Sequence, residues 1–297
     1  MMEKVAIFII KLLKRPIIWS GVDYEQLEII LKTKLAMDFR RSPSMFHSSG
    51  NTNRTMNSQL FMLLIFGVFI SLGFISLNNL MLNLTICFSI IMVMLGSSII
   101  TEFTSVLFDH KDNHILLVRP ISNRTLLLSR LLHILVYIGF MAVSLGLIPS
   151  IVIAIKQGVL TFFIFWLAIG LCAWITLLLT SLFYMALSRV VSSERFKDLV
   201  SYFQIFLAIV LFGGYQLLPR LMESDAIQHT TMTIHWWTYL IPPIWLAGFV
   251  NLFNTMVFSV ENIVLSLLAL FVTIAGASFL IRNLSSGFGG MLSEGAA

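Results

Sequence analysis

The sequence predicts an all-α integral membrane protein with about six transmembrane helices, N-terminal amphipathic helices at the membrane interface and a re-entrant helical hairpin on the outer side. Hydrophobic residues make up 58% of the 297 residues and charged residues only 11%, whereas typical globular domains carry about 25% charged residues. The mean hydropathy is +0.93. The apolar residues come in blocks long enough to cross a hydrocarbon core, which takes about 20 residues of helix.

Residues 1–59 are predicted to form a cytosolic or interfacial leader. They hold nine of the 19 lysine and arginine residues. Apolar residues between Leu27 and Phe39 follow a helical period, but the patch is too short and too charged to span. We expect amphipathic helices whose basic side chains reach anionic headgroups. The alternative is a basic tail that only sets orientation.

Residues 60–297 are predicted to form the transmembrane domain. The third and fourth of its apolar intervals are longer than a bilayer requires and should tilt or project into water. The six predicted spans are 60–78, 80–101, 126–155, 158–187, 199–221 and 262–281.

The stretch between the last two spans contains an apolar segment, 239–253, that Pro242 and Pro243 interrupt. A proline pair disfavours a straight span, and the tryptophans beside it suit the headgroup layer. We therefore predict a hairpin over 236–254 that enters the outer leaflet. The alternative is a seventh span.

The distribution of basic residues predicts the orientation. With the N-terminus in the cytosol, seventeen of the 19 lysine and arginine residues face the cytosol, and only Lys156 and Arg220 face outward. This bias is typical of membrane topology. The net charge of +5 therefore does not indicate a nucleic-acid partner. The partner that the composition indicates is the lipid bilayer.

The predicted spans contain few residues that could bind an ion or catalyse a reaction. Their interiors hold no Asp, Glu, Lys or Arg, which argues against an ion-coupled carrier and against an intramembrane enzyme. Cys87 and Cys172 lie in apolar runs and are expected to be buried small hydrophobes. Small residues, such as Ala142 with Gly146 and Ala269 with Thr273, are expected to make helix contacts.

The few polar groups in the spans are uncharged. They could line a weakly polar passage suited to amphipathic or lipid-like cargo, or they could satisfy one another between helices, which we favour. These residues are Ser89, Ser97, Ser98, Thr176, Thr180, Tyr202, Gln204, Tyr215 and Gln216.

The longest polar interval inside the hydrophobic part of the chain, 102–130, lies on the cytosolic side by the charge count. Its centre combines charged residues with flanking apolar ones. His110 and His114 are four residues apart, as in some metal sites, but a face that contacts solvent and protein is the favoured interpretation. The chain has no G-x-x-x-x-G-K-[ST] phosphate loop. Any ATP-driven work would therefore need a partner.

With these features in order, the chain resembles the membrane (permease) subunit of an ABC-2 type ABC transporter of the bacterial exporter kind. The resemblance depends on the basic leader LEIILKTKLAMDFRR (27–41), the segment DHKDNHILLVRPIS (109–122) between the second and third spans, and the Trp-Trp and Pro-Pro-Ile-Trp residues within 236–245.

The resemblance implies a transport subunit of the bacterial inner membrane that is not itself an enzyme. It would bind no cofactor or metal, since ATP and Mg would be held by a separate cytosolic ATPase subunit. A second membrane half, as a homodimer or a paired half, would complete the transporter. The expected ATPase contact comprises Phe108, Asp109, His110, Lys111, Asp112, Leu116 and Leu117, with Glu194, Arg195 and Lys197 as a second contact.

A function of another class is also open. A membrane scaffold that docks a cytosolic or envelope partner would need the same cytosolic stretch but no passage.

Overall fold

The computed structural model describes residues 23–38, 56–76, 79–108, 123–188, 235–256 and 259–294, together with residues 202, 205, 206 and 209. Seven α-helices and one 3-10 helix lie within these residues. They are α1 (Tyr24–Asp38), α2 (Met56–Ser76), α3 (Leu80–Phe108), α4 (Asn123–Gln157), α5 (Val159–Ser188), the 3-10 helix (Trp236–Leu240), α6 (Pro242–Thr255) and α7 (Val260–Glu294).

Three of these helices contain a segment that is long and apolar enough to cross a membrane: Leu80–Ile100, Leu132–Gln157 and Val159–Phe183. They correspond to the second, third and fourth predicted spans. The all-helical class is therefore confirmed for the described residues, and three of the predicted spans are helices long and apolar enough to cross a membrane. Shorter apolar helical segments, Leu60–Ile75 and Val260–Gly276, lie at the first and last predicted spans. The interval 199–221 falls almost wholly outside the described residues.

The chain divides into two compact units, one formed by Leu60–Ile100 and Gly139–Gly276 and the other by Met1–Gln59, Thr101–Ile138 and Ala277–Ala297. In the first unit the helices pack around large buried side chains. The rings of Phe88 and Phe165, both fully buried, lie 5.6 Å apart between centroids. Cys87 and Cys172 are also fully buried, as expected of small hydrophobes.

Helices α2 and α4 approach each other closely where Gly67 faces the backbone of Leu145. A Cβ atom built on Gly67 would lie 2.8 Å from the Leu145 carbonyl oxygen. That carbonyl is the one that Pro149, inside α4, cannot pair, because proline has no N–H to donate to the residue four positions earlier. Gly67 lets α2 pass over this part of α4.

Small residues make other helix contacts in the same unit, as the sequence predicted. Ala142 and Ala269 are buried, and Gly146 faces the side chain of Ile169 on α5. Gly248 of α6 lies against Leu265 of α7.

The two prolines start a helix. Ile241 is extended, and Pro242 and Pro243 occupy the first helical positions of α6, where a missing N–H costs nothing. The 14 residues of α6 measure about 21 Å, shorter than the roughly 30 Å hydrocarbon core. Most of its apolar residues are buried, including Ala247 and Val250. The indole of Trp245 donates a hydrogen bond to the Tyr239 carbonyl at 2.9 Å, which fixes α6 to the 3-10 helix.

The close approach of α2 to α4 predicts a clear difference between two glycines. Gly67→Ala should destabilise the protein by about 1–3 kcal/mol because backbone atoms must shift. Gly139→Ala has nothing within 4 Å of the added carbon and should be neutral or stabilising by about 0.5–1 kcal/mol. Apparent Tm in detergent measures both. Equal values for the two variants would contradict the described packing.

Candidate functional site

The predicted ATPase contact lies almost entirely outside the described residues. Phe108 is the last residue of α3, whereas 109–117 and the second contact at Glu194, Arg195 and Lys197 are not described. His110 and His114 are outside the described residues too. Their roles stay predictions.

Helix α1 packs on the first half of α4. Tyr24, Leu27 and Leu31 are buried together with Leu132, and Leu128 and Leu135 are half-buried against them. Residues three or four positions apart share one face of a helix, so each helix presents one apolar stripe to the other. Leu27 and Leu31 are therefore covered by α4, and the interfacial position of the leader stays a prediction.

The start of α1 is fixed by its own sequence. The Asp23 carboxylate accepts hydrogen bonds from the backbone N–H groups of Glu25 at 3.0 Å and Gln26 at 3.3 Å, which is N-terminal capping. Burial, reinforced by the nearby Glu28 carboxylate, raises the pKa of the Tyr24 phenol. The phenol is therefore neutral in its apolar contact at physiological pH.

Hydroxyl groups within the bundle bond to their own helix. Ser97 and Ser98 both donate to the Met94 carbonyl at 2.9 Å, and Thr176 donates to the Cys172 carbonyl at 2.7 Å. Ser89 donates to the Thr85 carbonyl in the same way. These bonds turn the hydroxyl hydrogen toward the helix's own backbone. The expectation that polar groups in the spans satisfy one another between helices stays a prediction.

A polar cluster forms where α4 turns into α5, and we call it the Lys156 corner (Lys156, Gln157, Thr161 and Asn254). The turn takes a single residue, Gly158, whose φ of +93° is readily adopted only by glycine. The Lys156 ammonium donates to the carbonyls of Phe74 at 2.7 Å and Ile75 at 2.9 Å. These carbonyls belong to the last turn of α2, where backbone acceptors have no intrahelical donor.

The other three residues fasten α6 to this corner. The buried Thr161 hydroxyl lies 2.7 Å from the Asn254 side-chain oxygen, to which it donates. The Asn254 amide donates in turn to the Gln157 side-chain oxygen at 3.2 Å. These bonds join the end of α6 to the α4–α5 turn across more than 90 residues of sequence.

A cavity of about 170 Å³ opens beside the Lys156 corner. Lys156, Gln157 and the buried Asn83 provide polar groups, and none of the lining residues within the described part of the chain is acidic. The cavity is therefore polar and cationic on one side and apolar on the other. Its apolar wall includes Phe74, Leu80 and Val152.

Sequence reasoning found Lys156 only as one of two outward basic residues and missed its partners. The residues that meet at the corner are separated by 81 to 97 positions. No local pattern connects them. The available signal was a lysine at the end of an apolar run, followed by a glycine.

Comparison of the chain with protein-family models, with curated proteins and with solved structures found no significant match.

The packing of α1 predicts that substitutions on the face that contacts α4 lower stability more than substitutions on the exposed face. Leu27→Ala should cost about 2–5 kcal/mol, because it leaves a cavity against α4. Ile29→Ala, on the same helix but 65% exposed, should change stability by less than about 0.5 kcal/mol. The rate of amide hydrogen exchange in residues 24–38 measures how far each variant loosens α1. Equal loosening by both variants would mean that lipid, not α4, holds the helix.

The polar bonds of the corner predict a local effect in α6. Thr161→Val keeps the shape but removes the bond to Asn254, at a cost of about 1 kcal/mol. Hydrogen exchange in the last turn of α6 should become faster. Thr255→Val is the matched control, since that hydroxyl donates to Asn251 of its own helix. Unchanged exchange in Thr161→Val would contradict a fastening role.

Proposed function

We propose that the chain is the transmembrane permease subunit of an ATP-driven ABC exporter, coupled to a separate nucleotide-binding subunit. The observation that carries this proposal is the shape of the two helices that flank the segment 109–122. Helix α3 continues to Phe108, beyond the predicted span 80–101, and α4 begins at Asn123, before the predicted span 126–155.

At 1.5 Å per residue the extension of α3 is about 10 Å long and that of α4 is about 5 Å long. In this proposal the segment between them, which mixes charged and apolar residues, lies clear of the hydrocarbon. Such a segment suits docking in a groove of a partner, and force applied to it would act directly on two helices. The energy source must lie outside the chain, because the sequence offers neither a phosphate loop nor charges inside the spans.

Helix α1 supports a second part of the same proposal. Its buried contact with Leu128, Leu132 and Leu135 lies on the part of α4 that directly follows the segment 109–122. A displacement of that segment would therefore also move α1. We propose on this ground that α1 acts as a connecting helix at the cytosolic interface.

The complete topology is part of the proposal. It keeps six spans, a cytosolic N-terminus and a hairpin over 236–254 in the outer leaflet, in agreement with the charge distribution. The bacterial inner membrane is what the resemblance implies. The short α6 and the exposed Trp236 (79%) suit such a hairpin. A second membrane half would face this one, and cargo of amphipathic or lipid-like character fits a bundle without charges in its interior.

The proposed coupling is tested by changing the segment itself. Asp112→Ala combined with Leu116→Ala should uncouple ATP hydrolysis from transport while membrane insertion stays intact. Truncation of central contact residues typically costs 2 kcal/mol or more, so ATPase stimulation should fall by at least about tenfold. ATPase assays in reconstituted vesicles, with and without this subunit, give the measurement.

Asp225→Ala is the matched control, since it removes one carboxylate from the predicted outer side. It should leave stimulation unchanged. Failure of any phosphate-loop ATPase to co-purify with the chain would contradict the proposal. A partner that co-purifies but whose ATPase activity never responds to this subunit would favour the scaffold function instead.

A further inference from the structure

The cavity beside the Lys156 corner combines three features that favour an anion. Lys156 lines it, and its ammonium uses two of its three N–H groups on the α2 carbonyls. The first residue of α3, Leu80, forms part of the wall, so the positive end of that helix dipole lies at the cavity. The buried Asn83 amide adds a neutral polar group.

The start of α3 has backbone donors to offer. Within its first turn, the Leu82 N–H donates to the Asn79 side-chain oxygen at 3.1 Å, and the Asn83 N–H donates to the Asn79 carbonyl. The N–H groups of Leu80 and Met81 come before the first intrahelical acceptor. Such a helix start is well suited to a phosphate or another anion.

The position of the cavity along the helices indicates which anion reaches it. Lys156 and Gln157 end the apolar segment Leu132–Gln157, and Leu80 begins the segment Leu80–Ile100. Two potential spans thus end at the cavity, which is the depth of lipid headgroups in a bilayer. Lysines near span ends reach toward that layer.

We propose that this cavity binds the phosphate group of a membrane phospholipid, with the start of an acyl chain against Phe74 and Val152. Its volume of about 170 Å³ exceeds the roughly 150 Å³ that holds a benzene molecule in an engineered protein cavity, and is enough for a phosphate group. A free phosphate ion would gain nothing from the apolar wall, so a lipid is the better ligand. This site does not depend on the proposed transport function.

Native mass spectrometry of the purified protein in detergent tests the site with three probes: phosphatidylglycerol, diacylglycerol and inorganic phosphate. Phosphatidylglycerol should bind saturably and at least about tenfold more tightly than either of the others, since only it offers both phosphate and acyl chains. Lys156→Gln should weaken phosphatidylglycerol about tenfold and leave diacylglycerol unchanged.

Two further variants keep the test decisive. Val152→Phe fills the cavity while Lys156 keeps its bonds to α2, and it should also weaken phosphatidylglycerol. Lys32→Gln removes a lysine that instead pairs with Glu28 of α1, and it should have no effect. The proposal is overturned if Val152→Phe binds like the unaltered protein, or if Lys32→Gln weakens binding as much as Lys156→Gln. Phosphate or diacylglycerol binding as tightly as phosphatidylglycerol would also overturn it.

Discussion

The backbone of an apolar chain has to satisfy its own hydrogen bonds, because neither lipid nor a packed interior can supply partners. Helix ends are where this requirement is hardest to meet. At the end of α2 the Lys156 ammonium donates hydrogen bonds to the carbonyls of Phe74 and Ile75. At the start of α3 the Asn79 side-chain oxygen accepts a hydrogen bond from the N–H of Leu82. The hydroxyl of Ser97 also donates to its own helix.

The shapes of the packed side chains also hold the helices together. Gly67 lets α2 approach the α4 backbone, and Gly146 accommodates Ile169, while Phe88 and Phe165 fill the interior. Among the described residues of this unit, the fully buried side chains are uncharged. Any work done by such a bundle has to enter at its ends, where helices carry polar and charged segments. The driving contact at 109–117, which the resemblance implies, is proposed to be such an end.

Much of the fold follows from local patterns. Apolar runs predicted helices at five of the six intervals, and the start of α3 at Leu80 and the turn near Gly158 agree with the predicted boundaries. Contacts between distant residues could not be predicted. Leu27 belongs to a stripe that suits lipid as well as protein, and only the structure reveals that α4 covers it. Thr161 and Asn254 carry no sequence pattern that would pair them. The residues of the predicted ATPase contact remain untested by the described part of the chain.

In the Lys156 corner one ammonium group would serve two partners, the carbonyls at the end of α2 and the proposed phosphate. Two of its three N–H donors cap α2, and Lys156 also lines the cavity, so a phosphate that draws the ammonium toward itself weakens the cap on the Phe74 and Ile75 carbonyls. Binding in the cavity and the order of the last turn of α2 are therefore linked, and by linkage each must affect the other by the same free energy. If the phosphate uses the third N–H and leaves the first two in place, the lipid instead reinforces the cap. Hydrogen exchange at the end of α2, with and without phosphatidylglycerol, distinguishes these two geometries by the sign of the change.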